Sequence, residues 1–322
     1  MESLTRFLIS SMPYLLAAFG TLQVIPPLIR LYLIRSGTKR LKLFLYCIAF
    51  AALSFRIIAR CKIRTNDGIV LTGSLRTNPL VKSVYLTGCY EPTLVEYLKR
   101  ELTPGDRFLD IGANSGHFSL IAAKLGTDVI SLEASPANCR LFAQNVAANA
   151  LGSRISLIHA AAGNEDGKIE LQENRFNGMW STTSPRSCWH FWPLARKIIV
   201  PAVKVDDVLK PEDVEKIRFV KIDVEGAELT VLHGLRSLLR AGRPDLEFCL
   251  EVSPSWLTRD QCKEIFSILS ADGFEAYTLV NQEVDFPPYD IGRPQRCSTI
   301  PERQVDILFS RTDLTAIPSA VA

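Results

Sequence analysis

The sequence predicts an α/β fold, a mostly parallel sheet with helices on both faces, behind a hydrophobic N-terminal segment. Three observations predict it. Short apolar runs at 107–111, 128–133, 155–160, 217–223, 246–252, 274–280 and 305–310 read as strands. Amphipathic patterns at 116–125, 136–149, 227–240 and 258–271 separate most of them, and such alternation makes βαβ units. The last two runs are joined by "NQEVDFPPYDIGRPQRCSTIPERQ", which holds no helical pattern, so they are expected to pair as a hairpin with the final strand antiparallel.

In chain order, the first element is an uncharged run from Phe7 to Ile29, long enough to cross a bilayer although Pro13, Pro26, Pro27, Gly20 and Gln23 weaken it. A shorter apolar run follows at 43–55. Basic residues flank both runs: Arg30, Arg35, Lys39, Arg40 and Lys42, then Arg56, Arg60, Lys62 and Arg64. The positive-inside rule favours one span, with both clusters and the rest of the chain cytoplasmic. A signal peptide fits less well, since Arg6 faces Glu2 and no small-x-small site follows. A helical hairpin packed on the remainder is the other alternative. Residues 1–64 are therefore expected to be a membrane anchor, and the protein membrane-associated with a cytoplasmic catalytic domain.

Residues 65–105 form a lead-in. "KIRTNDGIVLTGSL" and "VKSVYLTG" look like short strands, and "EPTLVEYLKREL" fits a helix with Leu94, Val95, Leu98 and Leu102 inward, ended by Pro104 and Gly105. The main domain is expected over 106–312, with 313–322 as a tail. Within it, "NRFNGMWSTTSPRSCWHFWPLARK", 174–197, holds three of the four tryptophans without a period and reads as an insertion.

The chemistry starts at "FLDIGANSGHFSL". Asp110 closes the first main strand, and Gly112 and Gly116 let the backbone turn tightly, so a ligand can approach the sheet's carboxyl edge. A dinucleotide loop prefers G-x-G-x-x-G against a pyrophosphate. The spacing D-x-G-x-N-x-G, with an acid before the first glycine, instead suits a cationic ligand such as S-adenosylmethionine. Glu133 ends the second strand about 20 residues on, where a carboxylate can accept ribose hydroxyls. The strand "IRFVKID" delivers Asp223 to the same edge, with Lys221 two residues earlier as an ion-pair partner. Glu251 arrives there from the next strand, whereas Glu225 and Glu228 suit a helix start.

Composition excludes other classes. A net charge of +3 gives no global reason to expect nucleic acid. The eight cysteines are scattered, with no Cys/His spacing for zinc.

Together "GCYEPTL", "FLDIGANSGHFSLIAAKLG", "VISLEASPANCRLFAQNVAAN", "HAAAGNEDGKIEL", "VPAVKVDDVL", "FVKIDVEGAELTVLHGLRSLL" and "PDLEFCLEVSP" resemble the FkbM-type family of S-adenosylmethionine-dependent methyltransferases, over about residues 88–280. The resemblance implies a Rossmann-like class I methyltransferase sheet of seven strands, the last antiparallel. It implies that Asp110, Gly112, Asn114 and Gly116 wrap the methionine part, Glu133 holds the ribose, and Ala161 and Ala162 lie along the adenine. Tyr90 and Glu91 fall in a segment that closes over the cofactor, and Asp223 faces the reacting centre.

The expected reaction is O-methylation of a hydroxyl on a carbohydrate, glycan or lipid-linked acceptor. Asp223 is the expected base, directly or through a cation shared with Glu251, with His190 second. Trp180, Trp189, Phe191 and Trp192 could stack on a sugar or pack as a satellite core. A nicotinamide-dependent oxidoreductase and a catalytically silent membrane-bound binding protein are the alternatives.

Overall fold

A computed structural model describes residues 60–174, 181–183, 195–279 and 294–316 of the chain. The described residues fall into two units, divided between Tyr90 and Glu91.

In the smaller unit, β1 (Cys61–Arg64) and β2 (Val70–Gly73) form an antiparallel hairpin in the register Cys61↔Gly73 to Arg64↔Val70. Helix α1 (Pro79–Thr87) follows. The reading of "VKSVYLTG" as a strand is thereby corrected. The Asn78 side chain accepts a hydrogen bond from the Val81 N–H, Pro79 occupies the first turn, and Gly88 closes the helix at φ 86°. An Asn-Pro start and a left-handed glycine stop are helix signals that outweigh the β-branched valines between them.

The larger unit is built on an eight-stranded sheet. Its strands are β3 (Arg107–Ile111), β4 (Asp128–Glu133), β5 (Ile155–His159), β10 (Ile217–Ile222), β11 (Glu247–Val252), β12 (Glu275–Thr278), β13 (Gln295–Arg296) and β14 (Val305–Ser310). Their order is β13-β12-β14-β11-β10-β3-β4-β5. Strands β5, β4, β3, β10 and β11 run parallel, and β14 inserts antiparallel between β11 and β12. The seven strands expected from the sequence are therefore present, and the two-residue β13 adds an eighth at the edge. All six residues of β10 are buried, as a strand covered on both faces requires.

Helices α2 (Pro92–Glu101), α3 (His117–Lys124), α4 (Pro136–Ala148) and α9 (Arg259–Ala271) lie in the positions their patterns indicate. The helix expected over 227–240 is two, α7 (Glu228–His233) and α8 (Arg236–Ala241). The break falls at Gly234, where an added Cβ would lie 1.9 Å from the Gly163 carbonyl oxygen. Backbone meets backbone there, so the chain turns instead of continuing the helix. Two short helices, α5 (Val205–Val208) and α6 (Pro211–Lys216), lead into β10.

A second sheet, in the order β6-β9-β7-β8, joins β6 (Ala161–Gly163), β7 (Gly167–Asn174), β8 (Ser181–Thr182) and β9 (Ala195–Lys204). It buries Ala161, Leu171 and Val200 against the partly covered Ala134. The sequence reading named no sheet here.

The expectation of a membrane-associated protein with a cytoplasmic catalytic domain is overturned. Among the described residues no helix is long and apolar enough to cross a membrane. The longest, α4 and α9, have 13 residues each and span about 20 Å, against roughly 30 Å of hydrocarbon. The runs 7–29 and 43–55 lie outside the described residues.

Candidate functional site

The site forms at the carboxyl edge of the three central strands. Between β3 and α3 the chain passes through Gly112 (φ 84°), Asn114 (φ 53°) and Gly116 (φ 88°), all left-handed. Gly112 is held from two sides. Its N–H donates to the Leu132 carbonyl at 2.9 Å, and beside it the Asp223 N–H donates to the Ile111 carbonyl at 3.0 Å. The bend thus ties together the tips of β3, β4 and β10.

Asp110 lies beneath this bend, 1% exposed. The Ser119 hydroxyl donates to its Oδ2 at 2.5 Å and meets the Ser131 hydroxyl at 2.8 Å. Burial pushes the Asp110 carboxyl up, against the pull of Lys221. Its other oxygen, Oδ1, is buried without a hydrogen-bond partner, and so is Asn114 Oδ1. Buried acceptors of this kind call for donors. A ligand carrying an ammonium group and hydroxyls supplies them, so the bend fits an S-adenosylmethionine molecule.

Glu133 sits at the tip of β4, also buried. Its Oε2 accepts from the Asn114 N–H at 2.7 Å, and Oε1 accepts from the Ser135 N–H at 2.8 Å and from Asn138 Nδ2 at 3.3 Å. A carboxylate offers about four acceptor positions, which leaves one for a ribose hydroxyl. Burial raises the Glu133 carboxyl to about 7, partly offset by those donors. A folded-state value above the ordinary one means that the apo fold favours the protonated form. The resulting destabilisation grows as pH rises from about 4.5 to about 7. Accepting a hydroxyl needs the charged form. Affinity for S-adenosylhomocysteine is therefore expected to fall by up to about tenfold per pH unit below about 7 and to level off above it. Calorimetric titrations from about pH 5.5 to 8.5 would show this, and Glu133→Gln should flatten the profile.

Ala161 and Ala162 lie in β6, the first buried and the second half-buried. Glu91 immediately precedes α2 at φ 45°, and its negative charge helps to keep Lys221 protonated. Tyr90 ends the smaller unit and stays an expectation from sequence. His190, with Trp180, Trp189, Phe191 and Trp192, lies outside the described residues.

Beyond the bend, the sheet edge is acid-rich. Asp223 follows β10 directly, and Lys221 Nζ donates to its Oδ2 at 2.6 Å, as the spacing suggested. Lys221 is buried and lies 4.9 Å from the centre of the Phe118 ring. Its ammonium is held charged, against the cost of burial, by Asp223, Glu91, Asp110 and Asp306. Glu228, the first residue of α7, accepts from the Gly226 N–H at 3.1 Å and the Val224 N–H at 3.3 Å, so it fastens the turn. Glu225 stands on that turn at φ 52°, and its carbonyl accepts from the Thr182 hydroxyl of β8 at 2.7 Å. Burial, then Asp223 and Glu228, push the Glu225 carboxyl to about 9.

The sequence placed Glu225 at a helix start and did not include it in the site. The left-handed turn brings its carboxylate to Asp223 and Glu251 instead. Ser119 and Ser131 were missed as well. Their signal was a serine at the position of β4 that pairs with Asp110, and another on the first turn of α3.

The model of the methyltransferase FkbM domain matches residues 110–276. Among solved structures, the chain is similar to a precorrin-6y C5,15-methyltransferase from Geobacter metallireducens GS-15 (14% identity, 69% of this chain and 88% of that one, TM-score 0.38). It is also similar to a Streptococcus mutans protein solved in complex with SAH (8%, 68% and 96%, TM-score 0.40), and to an rRNA methylase from Streptococcus thermophilus (10%, 67% and 93%, TM-score 0.39). The family match begins at Asp110 and takes in the bend, Glu133, the acid turn and Glu251, more than half of the 322 residues. The chain belongs to the FkbM family of methyltransferases, with S-adenosylmethionine as its cofactor.

Proposed function

We propose that the acceptor is a hydroxyl, carried by a carbohydrate, glycan or lipid-linked molecule, and that Asp223 takes its proton. One observation carries this reading: the Asp223 backbone is bonded to the bend at Ile111, so its carboxylate stands beside the cofactor loop at the sheet edge. An alcohol is a weak nucleophile until a base removes its proton.

When bound, S-adenosylmethionine would supply its sulfonium methyl to the acceptor oxygen and leave as the thioether, the sulfur keeping the electron pair of the broken bond. Glu133 orients the nucleoside through its carboxylate, and Gly112 and Gly116 let the bend close against the Asp223 backbone and the Phe142 ring. Asp223, steadied by Lys221, holds the acceptor oxygen near the reacting carbon and receives the proton.

Incubating the full chain with methyl-labelled S-adenosylmethionine and a panel of glycosides beside their amino-sugar analogues tests the acceptor class. Label in an alkali-stable methyl ether is the expected result. Label confined to the amines would overturn the assignment.

A further inference from the structure

We propose that Asp223, Glu225 and Glu251 bind one divalent cation of the hard, oxygen-preferring type (Mg²⁺, Mn²⁺ or Ca²⁺) on the acceptor side of the site. The proposal deepens the hydroxyl-methylation reading and rests on it.

The geometry is that of a coordination shell. Each residue offers one carboxylate oxygen, and these lie within 4.8 Å of one another. Oxygens bound at roughly 2.0–2.6 Å to a common ion are separated by at most about 5 Å. The donor set is all carboxylate, with no histidine or thiol, which selects hard cations over zinc or copper. Two pieces of backbone converge to make it: the loop after β10, which carries Asp223 and the left-handed Glu225, and β11, which carries Glu251.

A second observation, independent of the clustering, concerns Glu251. Gln304 Nε2 donates to its Oε1, yet its Oε2 is sealed from solvent and has no hydrogen-bond partner. A buried carboxylate oxygen without donor or cation is costly and seldom kept. Beyond the attraction of Lys221, the surroundings offer it little relief. Asp306 of β14 stands directly opposite Glu251 in the antiparallel register, and like charges in facing positions repel. Lys221 is committed to Asp223 Oδ2 and faces Glu91, Asp110 and Asp306 besides. A dication among the three carboxylates removes both the orphaned acceptor and the excess charge. It also places a Lewis acid where the acceptor hydroxyl must lose its proton, which makes that proton easier to take.

Titrating the full chain with MnCl₂ in the absence of S-adenosylmethionine, with free Mn²⁺ followed by electron paramagnetic resonance, tests the site. We expect saturable uptake of one ion per chain, displaced by Mg²⁺ or Ca²⁺, and at least tenfold weaker in Glu251→Gln and in Glu225→Gln. S-adenosylhomocysteine binding, measured in parallel on all three proteins, reports whether each variant is folded. Should Glu251→Gln fail that control, Glu225→Gln, altered on a turn instead of in a strand, decides. Native protein that binds S-adenosylhomocysteine but takes up no Mn²⁺ overturns the cation site alone. Uptake equally tight in the variants overturns it too. Failure to bind either ligand overturns the reading of the whole edge.

Discussion

Asp223→Asn is expected to lower turnover by roughly 10²–10⁴-fold while leaving S-adenosylhomocysteine affinity within about threefold. The asparagine keeps the shape and the backbone bond to Ile111, so the bend and the cofactor's seat persist. What disappears is the proton acceptor and the charge that Lys221 answers. Lys221 keeps Glu91, Asp110 and Asp306 as electrostatic company, so it does not become an isolated buried charge. Single-turnover rates with labelled cofactor, beside a calorimetric titration, separate the two effects. Full turnover in the variant would remove Asp223 from proton transfer, and equal loss of cofactor affinity would recast it as a binding residue.

Gly112→Ala should be the most damaging of the small changes. A Cβ there would lie 1.8 Å from the Asp223 carbonyl oxygen and 2.8 Å from its carbon, on a residue at φ 84°. Those atoms are backbone and cannot swing away. Relief requires the tips of β3 and β10 to part, which breaks the Asp223–Ile111 bond and displaces the acid turn with it. We expect a loss of at least about 3 kcal/mol in stability and no measurable S-adenosylhomocysteine binding. Gly105→Ala is the internal comparison. It carries the same left-handed strain, φ 100°, but nothing lies within 4 Å of the added carbon. Its cost should stay near 1 kcal/mol, as denaturant midpoints of the two variants would show.

The main sheet was legible because each central strand is an apolar run that stops at an acid or a turn. Predicted 107–111, 128–133 and 305–310 coincide with β3, β4 and β14, and the other runs differ by one to three residues at their ends. The glycine bend and the placement of Glu133 at a strand tip were legible for a related reason, since both sit where a strand ends and their separation is fixed by one βαβ unit. Local signals failed where a distant contact decides. Gly234 divides a helical pattern because Gly163 approaches it across the fold, and no window of sequence around Gly234 contains that fact. The second sheet hides because its strands are partly exposed, as Ile169 and Ile199 show, and one of them is only two residues long. Glu225 was read as a helix-start acid since the spacing is right. Its left-handed backbone turns it toward Glu251, a strand away in the sheet. Reading 81–88 as a strand overweighted valine and passed over the Asn78-Pro79 start.

The hydroxyl of Thr182 grips the carbonyl of Glu225, so the short edge strand that carries it is stitched to the loop bearing the acids. Of the residues proposed to hold the cofactor, the glycine bend and Glu133 belong to the main sheet, and Ala161 and Ala162 belong to β6 of the second, smaller one. We therefore expect a change at Thr182 to loosen the acid loop while leaving the bend and Glu133 in place, so that one edge strand tunes the acids without disturbing the main sheet.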